Sequence, residues 1–265
     1  MFYLSAIRPN VDTMAHESMG FHQPMICQQF IRVFTMSEKG ALAYWFDIAP
    51  EVRDEWLGWY LSDHMPSRVG TVFTAGRCYE AIDAASSHMV LFETPTAEDL
   101  LAPSYMSLLQ QVSDSDRQRR AWYSNTVRAT CRTVARQGHG LGGVLGVVRI
   151  QGSKVNQSDM GLIFSNEFLP LMLGLSSIGS VNVLCNDPGI RQRMDQVRVT
   201  GHQDGSTDWV LLIEASHEKD VRRAWQVLTN ITSWQPLQWE ASVNFDLYRL
   251  LYAMVQSDDR AMSLV

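Results

Sequence analysis

His64 is the first side chain whose type and place could do chemistry. It follows Trp56 by eight residues and Tyr60 by four. On a helix these share one face, and with Val52 and Trp59 they form a buried stripe. Pro66 disfavours helical geometry in the residue before it, so the helix should stop near Met65. A helix C-terminus favours the protonated imidazole, and the adjacent Asp63 would push the same way, while burial would oppose both. An imidazole titrating near neutrality suits a general acid or base. The plain alternative is a histidine that caps helix carbonyls or satisfies a core hydrogen bond.

Arg77 and Tyr79 are the second pair. Two apart on a strand, they share a face and could hold a carboxylate, phenolate or enolate oxygen, Arg by charge and Tyr by a directed hydroxyl. The alternative is a rim arginine paired with Glu93. Trp45 and Asp47 share a face of an earlier strand. An acid flanked by aromatics could have a raised pKa, or Asp47 could pair with Arg68 or Arg77. Tyr60 and Tyr105, with Trp45 and Asp47, are the candidate substrate-binding residues, Tyr105 closing the pocket beside His64. His88 begins a strand. Trp122, Trp209, Trp225, Trp234, Trp239 and the 13 methionines could build an interior that stacks a ring, or simply a core.

Other chemistries lack their residues. The seven histidines, at 16, 22, 64, 88, 139, 202 and 217, show no H-x-x-x-H or H-x-H spacing, so no metal site is read. No G-x-G-x-x-G follows a strand and no G-x-S-x-G occurs, so neither a dinucleotide fingerprint nor a nucleophile elbow is read. Cys27, Cys78, Cys131 and Cys185 are widely spaced and read as reduced thiols.

The elements that must position these residues follow a regular order. Residues 1–40 carry five Met and scattered polar residues and read as an extension, poorly ordered or packed on the surface. Strands are expected at 41–49, 72–83, 88–93 and 125–135. Helices are expected from Pro50 to about Met65 and from a Thr96/Asp99 capping box to about Ser113. The order is β-α-β-β-α-β. GHGLGG (138–143) reads as a linker. The order then recurs, with strands at 144–152, 178–186, 209–216 and 241–254, and helices at 159–175, interrupted by Pro170, and 217–231. The last strand could run on into a short helix. Residues 187–208 read as a long polar loop. MVLFETPTAEDL (89–100) lies over VLLIEASHEKDV (210–221) without a gap at an offset of 121, which places Glu93 on Glu214; the first strands align at an offset of 103. A carboxylate at matching places in both halves points to architecture rather than catalysis.

The expected fold class is therefore α+β: two tandem ferredoxin-like β-α-β-β-α-β repeats packing sheet to sheet as an α/β barrel. The repeats would span 41–137 and 144–255, with a tail at 256–265. A ligand would sit inside the barrel or between sheet and helix. The second half's first helix, DMGLIFSNEFLPLMLGL, has no histidine, which places any chemistry in the first half and leaves the second as scaffold.

WLGWYLSDHMPSR (56–68), the F-x-A-G-R-C-Y-E-A run at 73–81, VLFE (90–93) and PSYM (103–106) resemble the dimeric α/β-barrel superfamily, most of all its EthD-like branch, with an acidic-His-x-Pro-x-Arg helix end. The resemblance covers 41–136 by motif and 144–255 by topology. It implies a small-molecule enzyme or binding protein, with a homodimer as one assembly. The superfamily includes isomerases, cyclases, monooxygenases, decarboxylases and haem proteins. A haem relative would take its axial ligand from a helix of one half, and the second half offers only His217 at a helix start.

Composition narrows the field. The chain has 265 residues, 46% hydrophobic and 19% charged, enough apolar material for a core. Lys+Arg is 22 against Asp+Glu 28, a net charge of −6, which argues against a nucleic-acid partner. No apolar run approaches the length of a membrane span and no signal peptide is read, so a cytoplasmic location is expected. These readings converge on a cofactor-independent enzyme. It would act on a small aromatic or enolisable metabolite through proton transfer by His64, with the oxyanion held by Arg77 and Tyr79. The alternatives are a non-catalytic small-molecule-binding protein of the same fold and a haem-dependent dehydratase or oxidoreductase.

Overall fold

The computed structural model describes residues 39–152, 157–175, 177–199, 203–231, 234 and 241–256. The N-terminal extension as far as residue 38 and the tail beyond 256 lie outside the described residues.

Alternation of side chains along the first strand sets the architecture. In β1 (Gly40–Ile48), Leu42 and Phe46 pack with one apolar cluster, whereas Ala41, Ala43 and Trp45 pack with another. A strand apolar on both faces must be covered on both. Among the described residues eight strands do this: β1, β2 (Ala75–Asp83), β3 (His88–Thr94), β4 (Tyr123–Gly138), β5 (Val144–Gln151), β6 (Ile178–Asn186), β7 (Trp209–Ala215) and β8 (Ser242–Val255). They close into a barrel in the order β1-β3-β2-β8-β5-β7-β6-β4, every pair antiparallel. The inner faces fill the lumen with Trp45, Tyr79, Met89, Leu145, Leu212 and Tyr248 among others. The outer faces carry helices, giving one apolar layer over each half. The expected α+β barrel of two similarly ordered halves is the fold observed.

Over the first half, a 3-10 turn at Pro50–Val52 leads into α1 (Arg53–Trp59), which continues as a π turn over Tyr60–His64. The expected stop near Met65 has a mechanism. Pro66 has no N–H and its ring crowds the carbonyl one turn back, and the preceding turn widens so that the Met65 amide reaches the Tyr60 carbonyl, at 2.8 Å. Over the second half, α4 (Gln157–Ile163), a π turn at Phe164–Phe168 and α5 (Leu169–Leu173) repeat the device ahead of Pro170. The two π turns and prolines stand 104 residues apart, as do the starts of β1 and β5. The offset of 103 is corrected by one, because β1 begins at Gly40.

Of the expected Thr96/Asp99 capping box one half is made: Asp99 Oδ2 accepts from the Thr96 amide at 2.8 Å, but the Thr96 hydroxyl donates to the same oxygen at 2.9 Å, and the Asp99 amide donates to the Thr96 carbonyl at 3.3 Å instead. Beyond them a 3-10 turn (Glu98–Leu101) and α2 (Pro103–Gln110) are separate pieces. At Ser113 the helix does not simply end. Its hydroxyl accepts from the Asp116 amide at 3.0 Å and so caps a further helix, α3 (Asp114–Arg120).

The larger correction lies between β6 and β7. The expected polar loop contains α6 (Pro188–Val197), with Asp187 capping the Ile190 amide at 3.0 Å and Pro188 in the first turn. Its buried Ile190 and Met194 pack into the first half's apolar layer. α7 (Glu218–Thr229) matches expectation, and β8 stays a strand to Val255. The glycine linker is closely packed rather than loose. A Cβ on Gly142 would run into the Ala215 backbone, and the Gly142 amide donates to Glu214 Oε2 at 3.1 Å.

Candidate active site

A cavity of about 150 Å³ lies between the outer face of the first half's sheet and the helices over it. Leu42 and Tyr44 of β1, Val90 and Phe92 of β3, and Tyr123 and Arg128 of β4 form its floor. Trp59, Tyr60 and His64 of α1 and its π turn, Tyr105 and Leu108 of α2, and Asp116 and Arg120 of α3 cover it, with Arg68 and Arg198 from the segments after the π turn and after α6. Space of this size accommodates one benzene-sized ring.

His64 projects from the π turn. Its ring stacks on Tyr60, with centroids 4.9 Å apart and planes 28° apart, and leans on Trp59 at 4.7 Å. Among the described residues its ring nitrogens have no hydrogen-bond partner. Burial holds its pKa well below 6.5, and the charges of Arg68 and Arg120 push further the same way. The helix-end and Asp63 arguments for an imidazolium are thus overruled. Asp63 instead accepts from Trp59 Nε1 at 2.9 Å on the surface. The resting imidazole is neutral and able to accept a proton.

Tyr60 and Tyr105 share the cavity with His64. The other expected residues lie elsewhere. Arg77 and Tyr79 face the barrel lumen, on the opposite side of the sheet. Arg77 pairs with Glu214 Oε1 at 2.7 Å and Glu93 Oε1 at 2.8 Å, and Tyr79 Oη lies 3.4 Å from Glu214. The rim alternative was right about Glu93 but not about exposure, since Arg77 is 4% exposed. Trp45 is also in the lumen, beneath the guanidinium of Arg149 at 5.1 Å, and Arg149 pairs with Asp246. Asp47 pairs with neither Arg68 nor Arg77. It accepts from the Ser87 amide at 2.6 Å and from Asn125 Nδ2 at 3.2 Å, tying the β2–β3 hairpin to its neighbours. His88 is core, stacked on Phe46. These placements follow from strand parity: β1 puts Leu42 and Tyr44 towards the helices and Trp45 and Asp47 away from them.

Sequence reasoning missed the polar wall. Arg120 donates to Tyr44 Oη and Asp204 and lies over the rings of Tyr44 and Tyr123. Asp204 also binds Arg198, at 2.9 Å, and Asp195 binds Arg128, Arg191 and Arg198. Burial raises the Asp204 carboxyl pKa, but bonds from Thr126 and the charges of Arg198 and Arg120 outweigh it, so the group is held below its usual value. Trp56 Nε1 donates to Tyr123 Oη at 2.7 Å behind the cavity. Arg198 fell in the segment read as loop, and Arg120 in a charged run that looks like solvated surface.

The second half has no matching space among its described residues. Phe168 ends the second half's π turn as His64 ends the first's, and Phe164 packs on Phe168 at 5.8 Å and on Trp234 at 6.4 Å.

The sequence matches no protein-family model and no curated protein. Solved structures share the fold. An anthrone oxidase-like protein superposes with a TM-score of 0.58 at 8% identity, over 86% of this chain and 97% of its own. A candidate monooxygenase of Fusobacterium nucleatum subsp. nucleatum gives 0.55 at 6% identity, over 84% and 97%. A variant chlorite dismutase from Candidatus Nitrospira defluvii, in complex with cyanide, gives 0.51 at 10%, over 82% and 92%. These neighbours share the chain's α+β-barrel fold. No helix among the described residues is long and apolar enough to cross a membrane.

Proposed function

We propose that the protein is an enzyme that moves a proton on a small aromatic or enolisable metabolite without a bound cofactor, His64 acting as the base. The observation that carries this is an imidazole with no hydrogen-bond partner for its nitrogens among the described residues, kept uncharged by burial in a ring-sized cavity walled by aromatics and guanidinium groups. The proton would pass from an acidic C–H or O–H of the substrate to the imidazole. Arg68 and Arg120 would hold the resulting enolate or phenolate oxygen. Arg77 and Tyr79 cannot take that role from behind the sheet, and their bonds to Glu214 assign them to the lumen.

The chlorite dismutase neighbour gives the haem alternative support at the level of fold. The side chains do not fit that group. His217 is exposed at the start of α7, the second-half layer is filled by Phe164, Phe168 and Trp234, and the first-half cavity is ring-sized.

The test is deuterium exchange into a panel of phenols and 1,3-dicarbonyl compounds, followed by proton NMR. His64→Gln should slow exchange by about 100-fold or more, the usual scale of a general base. Equal exchange by the two proteins would sink the mechanism. Tight binding of panel members with no exchange by either would favour the non-catalytic binding protein.

A further inference from the structure

Proton transfer leaves the charge of the cavity unexplained. Four guanidinium groups reach it, from Arg68, Arg120, Arg128 and Arg198, with Arg191 just behind. Two carboxylates, Asp195 and Asp204, are shared among Arg120, Arg128, Arg191 and Arg198. Among the described residues Arg68 pairs with no carboxylate; it donates only to the His64 carbonyl and the Ser67 hydroxyl, both at 2.9 Å. Asp116, on the cavity's margin, is engaged by Ser113. Arg128 is 4% exposed, its Nε has no hydrogen-bond partner among the described residues, and Asp204 Oδ2 lies 3.7 Å from that atom. Burial and the charges of Arg198 and Arg191 pull the Arg128 pKa down to about 10, against the opposing pull of Asp195. Four largely buried guanidinium groups that share two carboxylates are short of counter-charge, and that is costly. The guanidinium groups at this cavity outnumber the carboxylates that face them, which suits an anionic ligand.

We propose that the ligand is a single-ring aromatic or enolic carboxylic acid, bound as its carboxylate by the arginines, with its ring against Tyr60 and Tyr105 and before His64. This deepens the function proposed above and rests on it only for the part His64 plays. Planar guanidinium forks match a carboxylate in two parallel bonds, and the size of the cavity suits a ring with one small planar substituent. The charge would also serve the chemistry. Arg68 and Arg120 oppose protonation of His64, and a bound carboxylate would offset their field and make the imidazole a stronger base as the substrate arrives.

The experiment compares benzoate with its neutral isostere benzamide by titration calorimetry and quenching of tryptophan fluorescence, since Trp59 lines the cavity. Benzoate should bind at least about tenfold more tightly, the scale of one charge-assisted bond. Arg68→Gln should remove most of that preference, and it strips no buried carboxylate of its partner, so the fold should survive. Arg120→Gln should do the same, and His64→Gln should keep the preference. Benzamide binding as well as benzoate, or both arginine variants keeping the full preference, would overturn the proposal. A benzoate preference without proton exchange defeats the catalytic reading alone. Exchange without any preference for the anion defeats this one alone.

Discussion

Two histidines flank the same sheet face, and both are neutral at rest. His64 lines the cavity. His88 lies between Phe46, 5.9 Å away and parallel, and Trp56 at 4.7 Å, with Nδ1 on Ser87 Oγ at 2.9 Å and Nε2 unpartnered. Burial, reinforced by Arg53, lowers its pKa from 6.5 to about 4. An unfolded chain would bind that proton first, so stability is unaffected well above pH 6.5 and is lost as pH falls from there toward the folded value. By pH 4 the loss from His88 alone approaches about 3 kcal/mol. Urea midpoints should hold steady from pH 8 to 7 and then drop, and His88→Phe should flatten the drop. A variant with an unchanged slope would show that this ring does not titrate as its surroundings demand. At this scale the sequence revealed what one helix can reveal: Trp56, Tyr60 and His64 repeat at helical spacing, so their shared face was legible. The arginines were not, because Arg120, Arg128 and Arg198 reach the cavity from segments far from His64 in the chain.

Among the elements, all eight expected strands are found because their apolar runs are bounded by Gly, Pro and polar turns, although β2 starts three residues later than read and β4 runs three residues further, to Gly138. The π turns were not, since a 3.6-residue pattern gives no sign of a wide turn, although Pro66 and Pro170 mark where each is needed. α6 was missed despite Asp187, Pro188 and the Ile190/Met194 spacing, because its exposed face is rich in Arg, Gln and Asp and dominates the composition. This helix should matter doubly, since it fills the first half's apolar layer and ends at Arg198. Asp187→Ala removes the cap and a bond from Arg132 Nε at 3.0 Å, and should cost about 1–2 kcal/mol in urea unfolding. Met194→Ala, with no polar loss, should cost about 2–4 kcal/mol. Both should weaken benzoate binding by loosening Arg198. If Met194→Ala unfolds at the wild-type midpoint, α6 does not belong to the core described above.

For the whole molecule, the barrel is joined through its lumen as well as around its wall. Arg77 of β2 reaches Glu214 of β7, linking the two halves across the interior. Glu214 is 1% exposed, whereas the Glu93 side chain is 24% exposed. Glu214→Gln leaves a buried guanidinium short of its partner and should cost about 3–5 kcal/mol; Glu93→Gln should cost much less. An Arg77→Met/Glu214→Leu double variant should recover most of the loss, and equal destabilisation by the double and the single change would refute a pairwise role. The matched glutamates were legible as architecture from their 121-residue offset, but whether they faced the lumen or a rim depends on closure of the sheet, which no local pattern encodes.

Carrying both halves on one polypeptide has a consequence of its own. In a barrel assembled from two identical chains, each mutation alters both chambers at once. Here Phe168 plugs one side while its counterpart His64 leaves the other hollow, so one flank can be tuned toward new guests while the other stays solid and bears the strain.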